Sequence, residues 1–160
     1  MIDAERPESM AMPCPASADQ SPGLADVRPL RVLMVTETWP PEVNGVALTV
    51  QALAEGLLAL GHIVRIARPR QDAETPGSRP GFAEHLLPGG RLPRYPQLRF
   101  GWPARRRLEG LMRAERPDVL YVATEGPLGY SAVSAARRLG IPVATGFHTR
   151  FDDFVTHYGL

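Results

Sequence analysis

Lysine is absent from this chain of 160 residues, so all eighteen basic side chains are arginines. Seventeen acidic side chains leave a formal charge of +1, which argues against a general nucleic-acid binder because such proteins carry a basic surplus. The single cysteine, Cys14, excludes an internal disulfide and fits a reducing cytoplasm. No run is long and apolar enough to span a bilayer, and residues 1–29 lack the apolar core of a secretory signal.

Several motifs of nucleotide and metal chemistry are missing as well. The first apolar run that predicts a strand, Leu30–Thr36, is not followed by the G-x-G-x-x-G of dinucleotide enzymes or by a Walker A lysine loop, which disfavours an NAD enzyme and a P-loop kinase. No HExxH or other helical metal spacing occurs. Asp152 and Asp153 are adjacent, without the intervening residue of a D-x-D metal motif, so an N-capping or solvated role is the better interpretation for them.

The composition that is present describes one globular domain with a tail. Hydrophobic residues make up 44% of the chain, enough to bury a core. Residues 1–29 mix Pro, Ser, Ala and Asp without hydrophobic periodicity, and such a segment cannot repay the entropy of ordering its backbone. We therefore predict a disordered tail over residues 1–29 and a single folded domain over residues 30–160.

Strand and helix patterns alternate along the folded domain. Short apolar runs predict strands, and apolar residues at steps of three and four predict helices that end near Gly61, Pro117 and Gly140. The predicted strands are Leu30–Thr36, His62–Ala67, Val119–Thr124 and Pro142–Gly146, and the predicted helices begin at Val46, Pro103, Gly126 and Phe151. Residues 68–102 are rich in Pro, Gly and Arg and predict a long, partly mobile loop with a weak strand around His85–Leu87.

This alternation predicts an α/β fold, a doubly wound, Rossmann-like parallel sheet with helices on both faces. Ligands of such sheets bind beyond the carboxyl ends of the strands. The loops after Thr36, Thr124 and Gly146 are therefore the places where chemistry is expected. The fold alone does not choose that chemistry.

The loop after the first strand ends in Asn44 and Gly45, directly before a predicted helix. Asn44 can cap that helix, and Gly45 lets a ligand approach unshielded backbone N–H groups at the positive helix end. This arrangement would suit a diphosphate. A plain helix-entry turn explains the same two residues equally well.

Two further loops carry polar residues. Glu125 follows the predicted strand Val119–Thr124 and could bind sugar hydroxyls, although a solvated acid that favours the next helix dipole is the simpler interpretation. After the last strand, His148, Thr149 and Arg150 precede the two aspartates in the densest polar cluster of the chain. His148 and Asp152 are four residues apart, a spacing that is also typical of a structural hydrogen-bonded pair.

Two other patterns allow alternatives. Ser131 lies in Gly129-Tyr130-Ser131-Ala132-Val133, a near miss to the nucleophile elbow of α/β-hydrolases, but valine stands where glycine is needed and Ser131 falls inside a predicted helix. The stretch Arg91–Arg107 interleaves arginine with aromatic residues and could rest on an anionic membrane surface. A solvated, arginine-rich loop leading into a helix explains that stretch equally well.

Taken together, four segments resemble one family. They are Thr36-Glu37-Thr38-Trp39-Pro40-Pro41-Glu42-Val43-Asn44-Gly45-Val46, then Gly61-His62, then Glu125-Gly126-Pro127-Leu128-Gly129, and finally Gly146-Phe147-His148-Thr149. They are similar to the N-terminal domain of retaining, nucleotide-sugar-dependent glycosyltransferases of the GT-B type, family 4. Bacterial GDP-mannose-dependent α-mannosyltransferases and sulfoquinovosyl-diacylglycerol synthases are the members that the chain resembles most, from about Arg31 to its end.

The resemblance implies two Rossmann-like domains that face each other across a cleft. The N-terminal domain contributes mainly the acceptor side, and the C-terminal domain holds the nucleotide sugar. The E-x7-E segment and the Arg/Lys pair of that C-terminal domain have no counterpart in this chain. We therefore expect the chain to be a fragment, inactive by itself, of a retaining hexosyltransferase.

The resemblance also implies roles for individual residues. Gly45, with Asn44 beside it, corresponds to the glycine that meets the donor diphosphate, and His148 to the histidine at the reacting centre. Glu125, Thr149 and Arg150 correspond to positions on the acceptor side. The implied reaction transfers a hexosyl group, with mannosyl favoured, from a GDP- or UDP-sugar to a lipid or glycan acceptor, without a metal or another cofactor and without nucleic acid. The implied location is cytoplasmic, peripheral at the inner membrane face.

A second hypothesis belongs to a different class. The same domain could be a non-catalytic module that recognises a sugar, a lipid headgroup or a partner protein. Acceptor binding without transfer by the complete protein would favour this alternative. A small hydrolase that uses Ser131 is the third hypothesis, and labelling by a serine-directed phosphonate would test it.

Overall fold

The computed structural model describes residues 28–71, 74–92, 95–124 and 126–146. The three helices within these ranges are α1 Gly45–Ala59, α2 Arg105–Glu115 and α3 Pro127–Leu139. The strands are β1 Arg31–Val35, β2 Ile63–Pro69, β3 Ser78–Arg79, β4 Phe82–Leu87, β5 Gly89–Leu92, β6 Tyr95–Gly101, β7 Val119–Val122 and β8 Val143–Thr145. The predicted tail, apart from residues 28 and 29, and the predicted helix from Phe151 lie outside the described residues.

Six strands form one sheet in the order β3-β4-β2-β1-β7-β8. All neighbours in it pair in parallel except β3, which pairs antiparallel with β4. In register, Val32 of β1 lies between Val64 of β2 and Val119 of β7. The chain therefore places β2, β4 and β3 on one side of β1 and then adds β7 and β8 on the other side of β1. This is the doubly wound, Rossmann-like arrangement that the sequence predicts.

The alternation of side chains along β1 divides the core into two layers. Leu33 and Val35 are fully buried against α2 and α3, in a cluster that includes Leu108 and Ala132. Val32 and Met34 face the opposite side, where α1 supplies buried Val50 and Ala54. Since both faces of the strand are covered, β1 is a continuous apolar run, as expected for a buried parallel strand.

The helix ends agree closely with the predicted signals. Gly140 is the C-cap of α3 with a φ of 68°, and Gly61, with a φ of 82°, follows the C-cap of α1 at Leu60. Both are left-handed conformations that glycine adopts at little cost. None of the helices within the described ranges is long and apolar enough to cross a membrane.

The prediction of a long loop over residues 68–102 is wrong. The segment contains β4, which pairs in parallel with β2 and includes the weak strand predicted around His85–Leu87, and the β5–β6 hairpin. Its polar residues obscured the strand pattern because their partners lie on other elements: the Trp39 Nε1 donates to Glu84 Oε1 over 2.8 Å. Gly89 and Gly101 are paired across the hairpin, so its glycines serve close packing.

Candidate functional site

The switch point of the sheet lies between β1 and β7. These strands are parallel neighbours, and the segments that follow them lead to α1 on one face and to α3 on the other. Their carboxyl ends therefore meet at one edge, together with the first residues of both helices. This is the position at which open α/β sheets bind their ligands.

The first turn of α1 is open to solvent. Asn44 is its N-cap, and the Asn44 side-chain oxygen accepts a hydrogen bond of 2.8 Å from the Ala47 backbone N–H, which confirms the predicted cap. Gly45 is exposed, and a Cβ at Gly45 would meet nothing within 4 Å. A ligand can therefore approach the positive end of this helix without a side chain in the way. Diphosphate binding by Asn44 and Gly45 stays a prediction.

A chain of hydrogen bonds holds the loop before α1. The Asn44 Nδ2 donates to Thr38 Oγ1 over 2.6 Å, and that hydroxyl donates to Glu42 Oε2 over 2.6 Å. The Gln71 Nε2 donates to the other oxygen of Glu42 over 3.0 Å. Burial raises the pKa of Glu42, and the bonds from Thr38 and Gln71 partly offset that rise. The loop is thus fixed by its own side chains before any ligand binds.

A buried ion cluster anchors the same loop to β2 and β4. Arg68 is only 3% exposed, and it donates to both oxygens of Glu74 over 2.8 and 3.0 Å and to Glu84 over 2.7 Å. Glu84 also accepts from the Trp39 indole, whose ring stacks on Phe82. Because each charge in this cluster is paired, its burial does not leave an isolated ion in the core.

The first turn of α3 is occupied by a carboxyl group from elsewhere. Glu37, two residues after the end of β1, accepts hydrogen bonds from the backbone N–H groups of Leu128, at 3.0 Å, of Gly129 and of Gly101 in the hairpin. The Glu37 backbone N–H in turn donates to Thr124 Oγ1 over 2.9 Å. Burial raises the pKa of Glu37, and the three backbone donors partly offset that rise. Glu37 therefore caps the N-terminus of α3, a helix that begins about 90 residues further along the chain.

Glycines allow close packing at the start of α3, where Gly126 makes room for Glu37 and Gly129 for the Thr124 carbonyl. A Cβ at Gly126, the N-cap of α3, would overlap the Glu37 carboxyl group, and a Cβ at Gly129 would overlap the Thr124 carbonyl oxygen. Gly126 supplies no side-chain cap of its own. Glu37 was not among the candidates from sequence, although two signals pointed to it: an acid directly after a buried strand, and a glycine at a helix N-cap.

Ser131 has a structural role in α3. It is 5% exposed, and its hydroxyl donates to the Pro127 carbonyl over 2.8 Å and accepts from the Ala104 backbone N–H over 3.3 Å. The hydroxyl thus links the first turn of α3 to the N-cap of α2. This placement inside a helix gives the hydrolase hypothesis no support, since a nucleophile elbow places its serine on a strand-to-helix turn.

Four of the predicted site residues, Glu125, His148, Thr149 and Arg150, lie outside the described residues. Their distances from Asn44 and Gly45 are therefore not part of this description. Among the residues that it does describe, no three His, Cys, Asp or Glu side chains gather closely enough to hold a metal ion.

Open cavities also lie at this edge, among the residues that the structure describes, and two of them are relevant here. One, of about 420 Å³, lies where β2 and β4 end, and its lining includes Arg70, Arg99 and Arg107. The other, of about 640 Å³, lies between the first turns of α2 and α3, and its lining includes Arg105 and Tyr130. The open first turn of α1 and these cavities thus lie at the carboxyl edge of the sheet, where open α/β sheets bind their ligands.

The fold defines a Rossmann-like α/β domain, and comparison with known proteins identifies its family. The domain described as Glycosyltransferase Family 4 matches residues 43–160. The chain belongs to glycosyltransferase family 4. This match confirms the resemblance seen in the sequence.

Individual relatives agree with this assignment. The chain is 34% identical over 138 residues to a GDP-mannose-dependent alpha-mannosyltransferase of Mycolicibacterium smegmatis, covering 82% of this chain and 36% of the relative. A protein of the same description from Mycobacterium tuberculosis is 33% identical over 134 residues, covering 82% and 35%. An alpha-monoglucosyldiacylglycerol synthase of Acholeplasma laidlawii is 30% identical over 130 residues, covering 81% and 32%. The chain thus spans about a third of the length of these curated relatives.

Proposed function

We propose that the protein to which this chain belongs transfers a hexosyl group, with mannosyl favoured, from a GDP- or UDP-sugar to a lipid or glycan acceptor. Transfer retains the configuration at the anomeric carbon. The observation that carries the proposal is the match of residues 43–160 to glycosyltransferase family 4. Relatives described as GDP-mannose-dependent mannosyltransferases and as a glucosyldiacylglycerol synthase support the choice of donor and acceptor classes.

In this proposal the first turn of α1 meets the donor diphosphate. Backbone N–H groups at a helix N-terminus favour negative charge, and the absence of a Cβ at Gly45 allows close approach. The Asn44 side chain is already used by the cap, so Asn44 holds the turn in position and the backbone makes the contact. As the glycosidic bond to the diphosphate breaks, these fixed dipoles stabilise the charge on the leaving group.

The remaining site residues enter the proposal through the family resemblance. His148 acts at the reacting centre, and Glu125, Thr149 and Arg150 line the acceptor side. We propose no metal and no further cofactor, since the nucleotide sugar is a substrate. In this proposal the protein is a cytoplasmic enzyme that binds peripherally to the inner membrane face. This location would bring the domain close to a lipid acceptor.

The test compares two glycines of α1 in the protein expressed from the complete gene. A Cβ at Gly45 or at Gly56 would meet no atom within 4 Å, so an added side chain starts in open space at both positions. We expect Gly45→Val to raise the KM for GDP-mannose at least about tenfold, a loss of about 1.4 kcal/mol of binding, and Gly56→Val to leave it unchanged. Transfer is measured by mass spectrometry of the glycosylated acceptor, with UDP-glucose as the alternative donor.

A second variant tests the reacting centre. His148→Ala should abolish most transfer while thermal unfolding stays unchanged, and retained activity would remove His148 from the mechanism. If the complete protein binds an acceptor but transfers no sugar from any nucleotide donor, the proposal fails and the non-catalytic binding module takes its place.

A further inference from the structure

The cavity of about 420 Å³ at the ends of β2 and β4 carries three arginines. Its lining consists of Arg70, Leu86, Leu87, Pro88, Gly89, Arg99 and Arg107. Arg70 follows β2, Arg99 lies on β6, and Arg107 lies on the first two turns of α2. No acidic side chain is present in this lining, among the residues that the structure describes. Three separate elements thus bring positive charge to one concave surface.

Backbone contacts hold the walls of this cavity. The Arg70 N–H donates to the Leu87 carbonyl over 2.8 Å, and the Trp102 N–H donates to the Pro88 carbonyl over 3.0 Å. A Cβ at Gly89 would lie 2.7 Å from both the Phe100 carbonyl oxygen and the Pro69 Cβ, so the hairpin packs directly on β2. These contacts hold the backbone that carries the arginines before a ligand arrives, which reduces the cost of binding.

The nearby carboxylates have partners of their own. Glu74 is held by both terminal nitrogens of Arg68. Glu42 accepts from Thr38 and Gln71, and the positive charge of Arg99 acts on it from a distance. Arg99 also donates to the Arg70 carbonyl over 3.1 Å, which orients its guanidinium group. Neither Glu42 nor Glu74 is part of the cavity lining, although the positive charges of Arg99 and Arg70 act to lower their respective pKa values and Arg70 Nη1 donates to the Glu74 backbone carbonyl over 3.3 Å.

We propose that this cavity binds the phosphate group of the acceptor molecule. The inference rests on the proposed function, because it names the chemistry of the acceptor. Guanidinium groups bind tetrahedral oxyanions in bidentate fashion, and three of them match a doubly charged phosphate better than a singly charged carboxylate. The cavity lies at the same edge of the sheet as the first turn of α1, and its volume accommodates a phosphate with an attached polyol.

The proposal gives a role to part of the arginine-rich stretch Arg91–Arg107. Arg99 and Arg107 of that stretch line the cavity, whereas Arg106, also exposed on α2, does not. A membrane-surface role for the stretch would use its exposed arginines alike. A defined phosphate site uses only those that line the cavity, and this difference supplies a matched control.

The first experiment titrates the 160-residue chain with glycerol 3-phosphate, inorganic phosphate and glucuronate in a calorimeter. We expect glycerol 3-phosphate to bind, Arg70→Gln and Arg107→Gln each to weaken its binding about tenfold or more, and Arg106→Gln to leave it unchanged. All three substituted arginines are exposed, so the fold should persist, and circular dichroism checks this. Equal losses in Arg106→Gln, or tighter binding of glucuronate, would overturn the proposal.

A second experiment distinguishes a lipid headgroup from a soluble phosphate compound. The chain is sedimented with phosphatidylcholine vesicles that do or do not contain phosphatidic acid. Binding to phosphatidic acid that Arg107→Gln abolishes and Arg106→Gln preserves supports a lipid source. Binding of glycerol 3-phosphate without vesicle binding supports a soluble source. Vesicle binding that both variants reduce equally indicates a general surface charge effect and contradicts the proposal.

Failure of this inference is separable from failure of the proposed function. The titrations need no sugar transfer, so phosphate binding through Arg70 and Arg107 stands even if the complete protein transfers no sugar. Conversely, the complete protein could transfer sugar while neither Arg107→Gln nor Arg106→Gln changes the KM for the acceptor. That result would retain the proposed function and reject the phosphate site.

Discussion

The first turns of α1 and α3 lie at the same edge of the sheet but differ in what fills them. At α1 the cap is local: Asn44 bonds to Ala47 within one turn, and a Cβ at Gly45 would meet no neighbour. At α3 the cap is distant, since Glu37 arrives from the end of β1 and accepts from Leu128 and Gly129. Both helix ends carry the same partial positive charge.

This difference shows how a protein can reserve one helix end for a ligand. A local amide cap satisfies one N–H group and leaves the end without a countercharge. A buried carboxyl group satisfies several N–H groups at once and excludes an external anion from the same place. Of these two ends, only that of α1 can receive a phosphate from outside while Glu37 stays where it is.

The largest effect is expected from filling the space that Glu37 occupies. The Cβ of Gly126→Ala would overlap the Glu37 carboxyl group, so either the side chain or the first turn of α3 must move. We expect a loss of about 3 kcal/mol in the free energy of unfolding, at the upper end of overpacking effects. Urea unfolding followed by circular dichroism measures this loss.

The matched control for this substitution is Gly45→Ala at the open end. No atom lies within 4 Å of its Cβ position, so stability should change by no more than about 0.5 kcal/mol. Equal effects at Gly126 and Gly45 would show that the two helix ends do not differ in the way described.

The next effect concerns the ionisation of Glu37. Because burial raises its folded-state pKa above 4.5, the folded protein holds this proton more tightly than the unfolded chain does. The contribution of Glu37 to stability is therefore full at low pH and is lost as the pH rises from 4.5 through the folded-state pKa. The loss is about 1.4 kcal/mol for each unit by which the two pKa values differ.

Glu37→Gln isolates this effect, since the amide does not ionise. Thermal unfolding of the wild type and the variant is compared between about pH 4 and pH 8, starting near the ordinary pKa of a glutamate side chain and moving upward, the direction in which burial raises the pKa of Glu37. The stability of the wild type relative to Glu37→Gln should fall with rising pH. A constant difference across this range, or one that grows with pH, would contradict a raised pKa. Glu74 and Asp118, whose pKa values are lowered, contribute in the opposite direction in both proteins and cancel.

The smallest effect is expected from the local cap. Asn44→Ala removes the bond to Ala47 and the bond to Thr38, and we expect it to cost about 1 kcal/mol, as N-cap losses generally do. Asn44→Ser keeps an oxygen for the cap and should recover most of this loss. Denaturant unfolding gives both values, and a loss as large as that of Gly126→Ala would mean that the α1 end depends on more than its local cap.

Features that depend on local sequence were predictable from sequence. The strand of Leu33 and Val35 is a short buried run, the glycines at 61 and 140 stop their helices, and the Asn44 cap follows from residues three positions apart. Each of these signals is contained within one or two helical turns or one strand. They were sufficient to predict the parallel sheet and one end of the candidate site.

Features that depend on distant partners were not predictable from sequence. Glu37 bonds to Gly101 and Leu128, which are 64 and 91 residues away. β4 carries Glu84 among its apolar residues. The fold tolerates this largely buried carboxylate because Arg68, 16 residues earlier, pairs with it. Hydrophobic periodicity carries no information about such partners, which explains why Glu37 was missed and why only the end of β4, around His85–Leu87, was predicted as a weak strand.

The fit between Glu37 and Gly126 has a consequence for the history of the chain. The acid needs the glycine for space, and the helix that begins with the glycine needs the acid for its cap. We therefore expect a substitution at either position alone to lower the stability of the fold, although 89 positions separate the two along the chain. Substitutions at one are expected to accompany substitutions at the other, as in any pair of mutually dependent parts.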